Sequence, residues 1–182
     1  CEPMVRNTNA EWKHAGTGEY NYLTNRDNVL KFWEERVTEL AGSDNIYTLG
    51  IRGVHDSKML GANTLQEQKD ALDLILKDQR NMIARIVNPD VEKVSQVFIP
   101  YKEVLDVYRM GLQVPDDVTL MWTDDNYGYI RHFPDSLERA RKGGNGIYNH
   151  VSYWGRPHDY LWLSTNHPAL VYYQMKLAYD KG

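Results

Sequence analysis

Apolar residues recur every three or four positions in two long stretches of the chain, and this spacing predicts amphipathic helices. The first helix is expected over about residues 26–41. The second has the clearest signals, because Thr64 and Glu67 can form a capping box at its start and Pro89 ends it. Three shorter helical segments are expected at residues 102–110, 136–142 and 167–179.

Short and mainly apolar runs between these helices predict β-strands. A parallel sheet with helices on its faces follows from this alternation, so the predicted fold class is α/β. Four clear strands are too few for a closed eight-stranded barrel, which takes about 250 residues. The chain is therefore either an open doubly wound sheet or a section of a barrel. The predicted strands cover residues 46–51, 94–99, 118–122 and 147–151, with a brief extension at 161–163.

The glycines of the chain favour the barrel section over the open sheet. None of the predicted strands is followed by the glycine fingerprint of a dinucleotide site or of a P-loop. The run Gly143–Gly146 precedes a strand, which is typical of a turn. We therefore expect residues 1–182 to form an incomplete section of a (β/α)8 TIM barrel, with the remaining strands outside this chain.

Composition and charge exclude several classes of function. The 182 residues include 25 acidic side chains and 21 Lys and Arg, a formal charge of −4, which is not the basic field that nucleic-acid binding usually requires. No apolar run approaches the roughly 18 residues that a membrane-spanning helix needs. Cys1 is the only cysteine, which excludes an internal disulfide and any multi-cysteine metal site. Nucleic acid and membrane are therefore not expected partners.

Polar and aromatic residues gather at the end of each predicted strand. In parallel α/β folds ligands bind there, because the carboxyl ends of the strands share one edge. The chain has 13 Tyr and 5 Trp against 3 Phe, which suits a polar ligand such as carbohydrate, although most of these rings are expected in the core. The residues concerned are Arg52, His55, Asp56, Tyr101, Glu103, Trp122, Asp124, Asp125, Asn126, Tyr127, His150, Tyr153 and Trp154.

Several of these residues also have a structural explanation. Asp56 and Asp125 can cap turns or helices, and Glu103 lies in the first turn of a predicted helix, where a carboxylate is favoured regardless of function. A metal site from His55, Asp56 and Asp124 lacks tight ligand spacing, and no serine nucleophile motif is present, so we expect no metal and no cofactor. Once metal and serine-nucleophile chemistry are excluded, catalysis by carboxylates is the class of chemistry that these residues suit. Two carboxylates across a cleft are the arrangement used in glycoside hydrolysis.

Three segments of unusual sequence are residues 1–4 (CEPM), 117–128 (DVTLMWTDDNYG) and 150–157 (HVSYWGRP). Together they resemble the family-115 glycoside hydrolases, the xylan α-1,2-glucuronidases. The resemblance implies a (β/α)8 barrel within a larger multidomain chain. It also implies an enzyme that removes α-1,2-linked glucuronate or 4-O-methylglucuronate side groups from xylan with inversion at the anomeric carbon.

The resemblance has further implications for partners and location. Glucuronoxylan or its oligosaccharides are the expected binding partners. The expected location is extracellular or periplasmic. A homodimer of the full-length enzyme is a further expectation.

The resemblance also implies roles for individual residues. Glu103 matches the general acid of the family, and Asp124 and Asp56 are the two candidates for the general base. Asn126 matches an asparagine that holds the water or the sugar. The chain departs from the family pattern at residues 54–56, where relatives carry an acidic residue and a glycine after the arginine, and this leaves the role of Asp56 open.

The candidates for binding the carboxylate of the substrate are Arg52, His55, Arg131, His132 and Arg156. Arg52 is expected to bind it, because a guanidinium forks onto a carboxylate with two hydrogen bonds. Trp154 or Tyr153 can stack on a sugar face. The other residues expected at the substrate are His55, Tyr101, Trp122, Asp125, Asn126, Tyr127 and His150. Competing interpretations are a non-catalytic carbohydrate-binding section, a purely structural α/β fragment, and an open-sheet enzyme of another chemistry.

Overall fold

The computed structural model describes residues 3–54, 57–125, 127–151 and 166–182. Strands alternate with helices and pair in parallel, which confirms the α/β prediction. None of the helices in these ranges is both long and apolar enough to cross a membrane. The helices are α1 (Thr8–Ala15), α2 (Arg26–Leu40), α3 (Leu65–Ile86), α4 (Glu103–Arg109), α5 (Ser136–Arg139) and α6 (Pro168–Lys181). The strands are β1 (Tyr47–Leu49), β2 (Gln96–Phe98), β3 (Thr119–Thr123) and β4 (Asn145–Tyr148).

The chain divides into two compact units, Cys1–Val118 and Thr119–Gly182. In the first unit β1 and β2 pair in parallel, with Leu49 opposite Phe98, and α3 connects them. Both strands therefore end at the same edge, and the segments that follow Leu49 and Phe98 begin side by side.

The core of the first unit forms where α2 and α3 pack together with the two strands. Burying each large apolar side chain contributes about 1.5–3 kcal/mol, so these positions hold the helices in place. Most of the apolar positions that predicted the two helices are buried, among them Val29, Trp33, Val37, Leu72, Ile75, Leu76, Met82 and Ile83.

The start of α3 has the predicted capping box. The Thr64 hydroxyl accepts a hydrogen bond from the Glu67 N–H at 3.1 Å, and the Glu67 carboxylate accepts one from the Thr64 N–H at 2.9 Å. The two residues thereby satisfy amide groups that the first turn of a helix leaves without partners. The helix ends at Ile86, three residues before Pro89.

The short helix α1 has no counterpart among the predicted elements. The Asn7 side chain accepts a hydrogen bond from the Ala10 N–H at 2.9 Å and caps its first turn. Trp12 is its main buried apolar residue, packed edge-on against Tyr20 and Phe32. One large anchor gives no helical periodicity to detect, which is why the pattern did not predict this helix.

In the second unit β3 and β4 pair in parallel, with Trp122 opposite Ile147. The connection between them includes α5. Helix α6 begins at Pro168, where the His167 side chain accepts a hydrogen bond from the Ala169 N–H at 3.1 Å. The buried Gln174 of this helix accepts a hydrogen bond from the Ile130 N–H at 2.9 Å.

The last strand lies earlier in the chain than predicted. It was expected at residues 147–151 but spans Asn145–Tyr148, and the turn that precedes it lies at Gly144, whose φ is +68°. Asn145 belongs to the strand because it pairs with Leu120 of β3. Its side-chain oxygen also accepts a hydrogen bond from Nε1 of Trp122 at 2.9 Å. The residues of β4 are only partly buried, so no apolar run marks its position in the sequence.

Candidate active site

Arg52 and Glu103 meet at the shared edge of β1 and β2. Nε and Nη2 of Arg52 donate hydrogen bonds to Oε1 and Oε2 of Glu103, each at 3.1 Å. Their side chains are 16% and 14% exposed, so the pair is close to the surface but largely shielded from water. The two parallel hydrogen bonds fix the plane and position of the carboxyl group that the sequence predicts as the general acid.

Tyr101, another predicted substrate residue, lies against this pair. Its ring centre is 5.3 Å from the guanidinium carbon of Arg52. A guanidinium over an aromatic face is attracted by the ring electrons, and this contact limits how far the arginine can swing. Arg52, Tyr101 and Glu103 are therefore brought together as predicted.

Gln79 supports the segment that carries Arg52, and sequence analysis did not identify it. The side chain is fully buried; its Nε2 donates to the Gly50 carbonyl at 2.9 Å and its Oε1 accepts from the Gly50 N–H at 2.7 Å. Gly50 has φ +96°, and a Cβ there would lie 3.2 Å from the ring of Phe98. A glutamine within the apolar face of α3 is the sequence signal that could have indicated this role.

Asp124 and His150 form a second cluster, in the other unit. The Asp124 side chain is fully buried at the end of β3, and its Oδ1 binds Nδ1 of His150. Its Oδ2 accepts hydrogen bonds from Nδ2 of Asn149 and from the His150 N–H, both at 2.8 Å. The carboxylate favours the proton on Nδ1, so Nε2 is the acceptor nitrogen of the neutral ring.

Asp125 organises the turn that follows Asp124. Its Oδ1 accepts hydrogen bonds from the N–H groups of Tyr127 and Tyr129 at 2.8 Å and 3.1 Å, and its Oδ2 pairs with Arg131 at 3.2 Å. These contacts give Asp125 the turn-capping role that was its structural alternative. Tyr127 is 69% exposed and accessible to a ligand.

Trp122 lies in the interior of the second unit. It is 1% exposed, and its ring centre is 4.2 Å from that of His132. Nε2 of His132 contacts the buried Glu138 carboxylate at 2.8 Å. A sugar platform needs an exposed face, so this arrangement gives Trp122 a packing role instead of the expected contact with substrate.

Five of the predicted site residues lie outside the described ranges. Within the described ranges no group of three His, Cys, Asp or Glu side chains is arranged to hold a metal ion. The predicted residues outside those ranges are His55, Asp56, Asn126, Tyr153 and Trp154.

The whole chain is similar to a known enzyme family and to a solved structure. The sequence model of glycosyl hydrolase family 115 matches residues 1–182. A solved structure of a family GH115 4-O-methyl-α-glucuronidase with specificity for decorated arabinogalactans is 65% identical, with a TM-score of 0.96. The match covers 100% of this chain and 24% of that one, so the chain spans about a quarter of that protein's length. No match was found among curated proteins. The chain belongs to glycosyl hydrolase family 115.

Proposed function

We propose that the enzyme containing this chain hydrolyses α-linked glucuronic acid or 4-O-methylglucuronic acid side groups from polysaccharides. The observation that carries the proposal is the Arg52–Glu103 pair, a carboxyl group held in a fixed position at the strand edge. Membership of family 115 and the 65% identity to a glucuronidase support the same conclusion. Neither favours the alternative of a non-catalytic carbohydrate-binding section.

The side group that is released does not determine which polysaccharide carries it. The resemblance implies glucuronoxylan with an α-1,2 linkage, and we propose this as the first substrate. Decorated arabinogalactan is the second candidate, because the similar solved enzyme is specific for it. Incubating the full-length enzyme with each polysaccharide and measuring the released uronic acid by chromatography distinguishes the two.

For the reaction we propose an inverting acid/base mechanism with two carboxyl groups roughly 6.5–9.5 Å apart. The proton of Glu103 moves to the glycosidic oxygen as the bond between that oxygen and the anomeric carbon breaks. Water attacks the anomeric carbon from the opposite face and gives its proton to the second carboxylate. While protonated, Glu103 keeps one of its two hydrogen bonds from Arg52, on the oxygen that does not carry the proton.

The second carboxylate is Asp124 or Asp56, and the geometry around Asp124 favours Asp56. Asp124 is fully buried and its oxygens already accept three hydrogen bonds, from Asn149 and His150. A base must place an oxygen against the attacking water, and these contacts leave little room for one. We propose that Asp124 instead fixes the orientation and the tautomer of the His150 imidazole.

Three wider proposals follow from the family. Residues 1–182 form part of a (β/α)8 barrel, which the parallel strand pairs with connecting helices support. The full-length enzyme is extracellular or periplasmic, because its polymeric substrates lie outside the cell. It assembles as a homodimer, which light scattering on the full-length enzyme tests.

The experiment is Glu103→Gln in the full-length enzyme, assayed on a glucuronic acid-substituted xylo-oligosaccharide. The expected loss of kcat is about 10²- to 10⁴-fold, the usual contribution of a general acid. Asp106→Asn is the matched control, since Asp106 lies on the same helix with its side chain exposed. Retained activity in Glu103→Gln contradicts its assignment as the acid. Proton NMR of the first-formed anomer tests the stereochemistry, and a retained configuration contradicts inversion.

A further inference from the structure

The chain that follows β3 folds back along the end of that strand. One backbone hydrogen bond runs from the Asp125 N–H to the Tyr129 carbonyl at 2.8 Å, and a second runs from the Arg131 N–H to the Thr123 carbonyl at 3.2 Å. We call residues 127–131 the return segment. These two bonds tie it to β3 on either side of one pair of opposed residues.

Asp124 and Ile130 form that pair, and they lie opposite each other in antiparallel orientation. Because the hydrogen bonds join the neighbours of both residues, the N–H groups of the pair itself point away from each other. The Asp124 N–H donates to the Tyr148 carbonyl of β4 at 3.2 Å. The Ile130 N–H donates to Oε1 of Gln174 in α6 at 2.9 Å. Gln174 thus supplies an acceptor that the return segment and β3 do not offer to this N–H.

The contact between Gln174 and Ile130 is shielded from water. The two residues are 5% and 7% exposed, and among the residues of α6, all of them described, Gln174 alone is buried. The same helix leaves three apolar side chains partly exposed, Leu170, Val171 and Met175. Burying a glutamine costs free energy unless its polar atoms are bonded. The hydrogen bond to the Ile130 N–H therefore explains why a glutamine occupies the buried position.

A second glutamine has the corresponding role in the first unit. The buried Gln79 of α3 binds both backbone groups of Gly50, which follows β1. In each unit a glutamine from a helix thus holds the segment that comes after a strand. These segments carry or adjoin the residues of the candidate site, where a reacting group needs rigid support.

Asp124 connects the return segment to His150. Its backbone pairs with Ile130, and its carboxylate binds Nδ1 of His150. Asn166, which lies just before α6, donates a hydrogen bond from Nδ2 to the His150 carbonyl at 3.3 Å. Direct contacts therefore lead from this part of the chain to the histidine by two routes, one through Gln174 and one through Asn166.

We propose that Gln174 is a positioning residue, which fixes the place of the Asp124–His150 pair by holding the return segment against β3. The inference rests on the proposed function, since the histidine is a predicted substrate residue of that enzyme. Without the acceptor, the buried Ile130 N–H has lost its partner, so the return segment opens more often and Asp124 is held less firmly. Small displacements of an oriented group cost large factors in rate.

The test uses the full-length enzyme with Gln174→Met, which keeps the length of the side chain but removes the acceptor. Gln96→Met is the matched control, because Gln96 is also buried and bonded to backbone carbonyls, but at the opposite end of β2 from Glu103. Both variants are also made in a His150→Ala background. Hydrogen exchange with mass spectrometry follows the amides of residues 127–131, and kcat/KM is measured on a glucuronic acid-substituted oligosaccharide at enzyme concentrations that make slow rates measurable.

We expect these amides to exchange about tenfold faster in Gln174→Met than in the parent, and at the parent rate in Gln96→Met. In Gln174→Met, kcat/KM is expected to fall about tenfold when His150 is present and less than about twofold in the His150→Ala background, because the glutamine acts through the histidine. Unchanged exchange, or equal losses of kcat/KM in the two backgrounds, overturn the inference. A parent enzyme that cleaves no uronoside, together with the expected change in exchange, contradicts the proposed function and leaves the hold on the return segment supported.

Discussion

Arg52 holds both oxygens of Glu103 although the two residues are 51 positions apart in sequence. They meet because β1 and β2 are parallel neighbours, so the segments after both strands start at the same edge. A fork of two hydrogen bonds fixes the orientation as well as the distance of the carboxyl group. A reacting group needs both, since small errors in position cost large factors in rate.

Replacing Arg52 with lysine keeps the charge but removes the fork. We expect kcat of the full-length enzyme to fall by about 10- to 100-fold, because one ammonium cannot hold the plane of the Glu103 carboxyl group. Arg85→Lys is the matched control: Arg85 makes the same two-bond contact with Glu34, but on the exposed surface. Unchanged kcat in Arg52→Lys contradicts a positioning role.

Asp124→Asn tests whether the buried carboxylate sets the proton position on His150. The amide no longer favours the proton on Nδ1, so we expect kcat to fall by about 10²- to 10⁴-fold. NMR of the imidazole nitrogens measures the change of tautomer directly. Asp135→Asn, at an exposed helix cap in the same unit, is the control and is expected to retain activity. Loss of activity with an unchanged tautomer rules out this explanation.

Gln79→Met removes the side-chain amide that binds both backbone groups of Gly50. Leaving a buried N–H and a buried C=O without partners is expected to lower the free energy of unfolding by about 3 kcal/mol. Arg52 lies two residues after Gly50. Losing this support is therefore expected to lower kcat as well. Urea denaturation and activity assays measure the two effects, and a stable, fully active variant shows that Gln79 is not needed.

The raised pKa of Tyr22 predicts that the stability of the fold decreases with pH between about 10 and 12. Burial of the ring, together with the hydrogen bond from its hydroxyl to Asp78, raises the pKa of Tyr22 from 10.0 to about 12. The folded state therefore holds this proton more tightly than the unfolded state. Its contribution to stability is complete below pH 10 and is lost as the pH rises from 10 to 12.

Tyr22→Phe removes the hydroxyl group that titrates and the hydrogen bond that it donates to Asp78. We expect the variant to be less stable by about 1 kcal/mol at neutral pH and to lose less stability between pH 10 and 12 than the parent. Arg26 still pairs with Asp78 in the variant, so the carboxylate is not left unpaired. Urea denaturation across this range is the measurement, and identical slopes for the two proteins contradict the assignment.

Helices with a strong local signal could be predicted from the sequence. The apolar spacing of α2 and the capping box at Thr64 are set by residues close together in the chain, and both predictions are confirmed. The strand β4 was misplaced because its first residue, Asn145, is set by pairing with Leu120 of β3, which lies far from it in sequence. No local pattern can reveal a contact of that kind.

The candidate site, like the fold, could be predicted only in part from the sequence. Sequence placed Arg52, Tyr101 and Glu103 together, because the ends of parallel strands share an edge. It did not show that Arg52 binds Glu103 itself, or that Asp124 is buried behind His150. Those relationships depend on side-chain geometry, which the order of residues along a strand does not determine.

The proton-donor role of Glu103 is tested most directly by comparing two leaving groups in Glu103→Ala. A dinitrophenyl α-glucuronide needs no proton on its leaving oxygen, whereas a glucuronoxylan oligosaccharide does. We expect kcat/KM of the full-length enzyme to fall by about 10³-fold or more on the oligosaccharide and by less than about tenfold on the dinitrophenyl substrate. Equal losses on both substrates contradict the assignment of Glu103 as the acid.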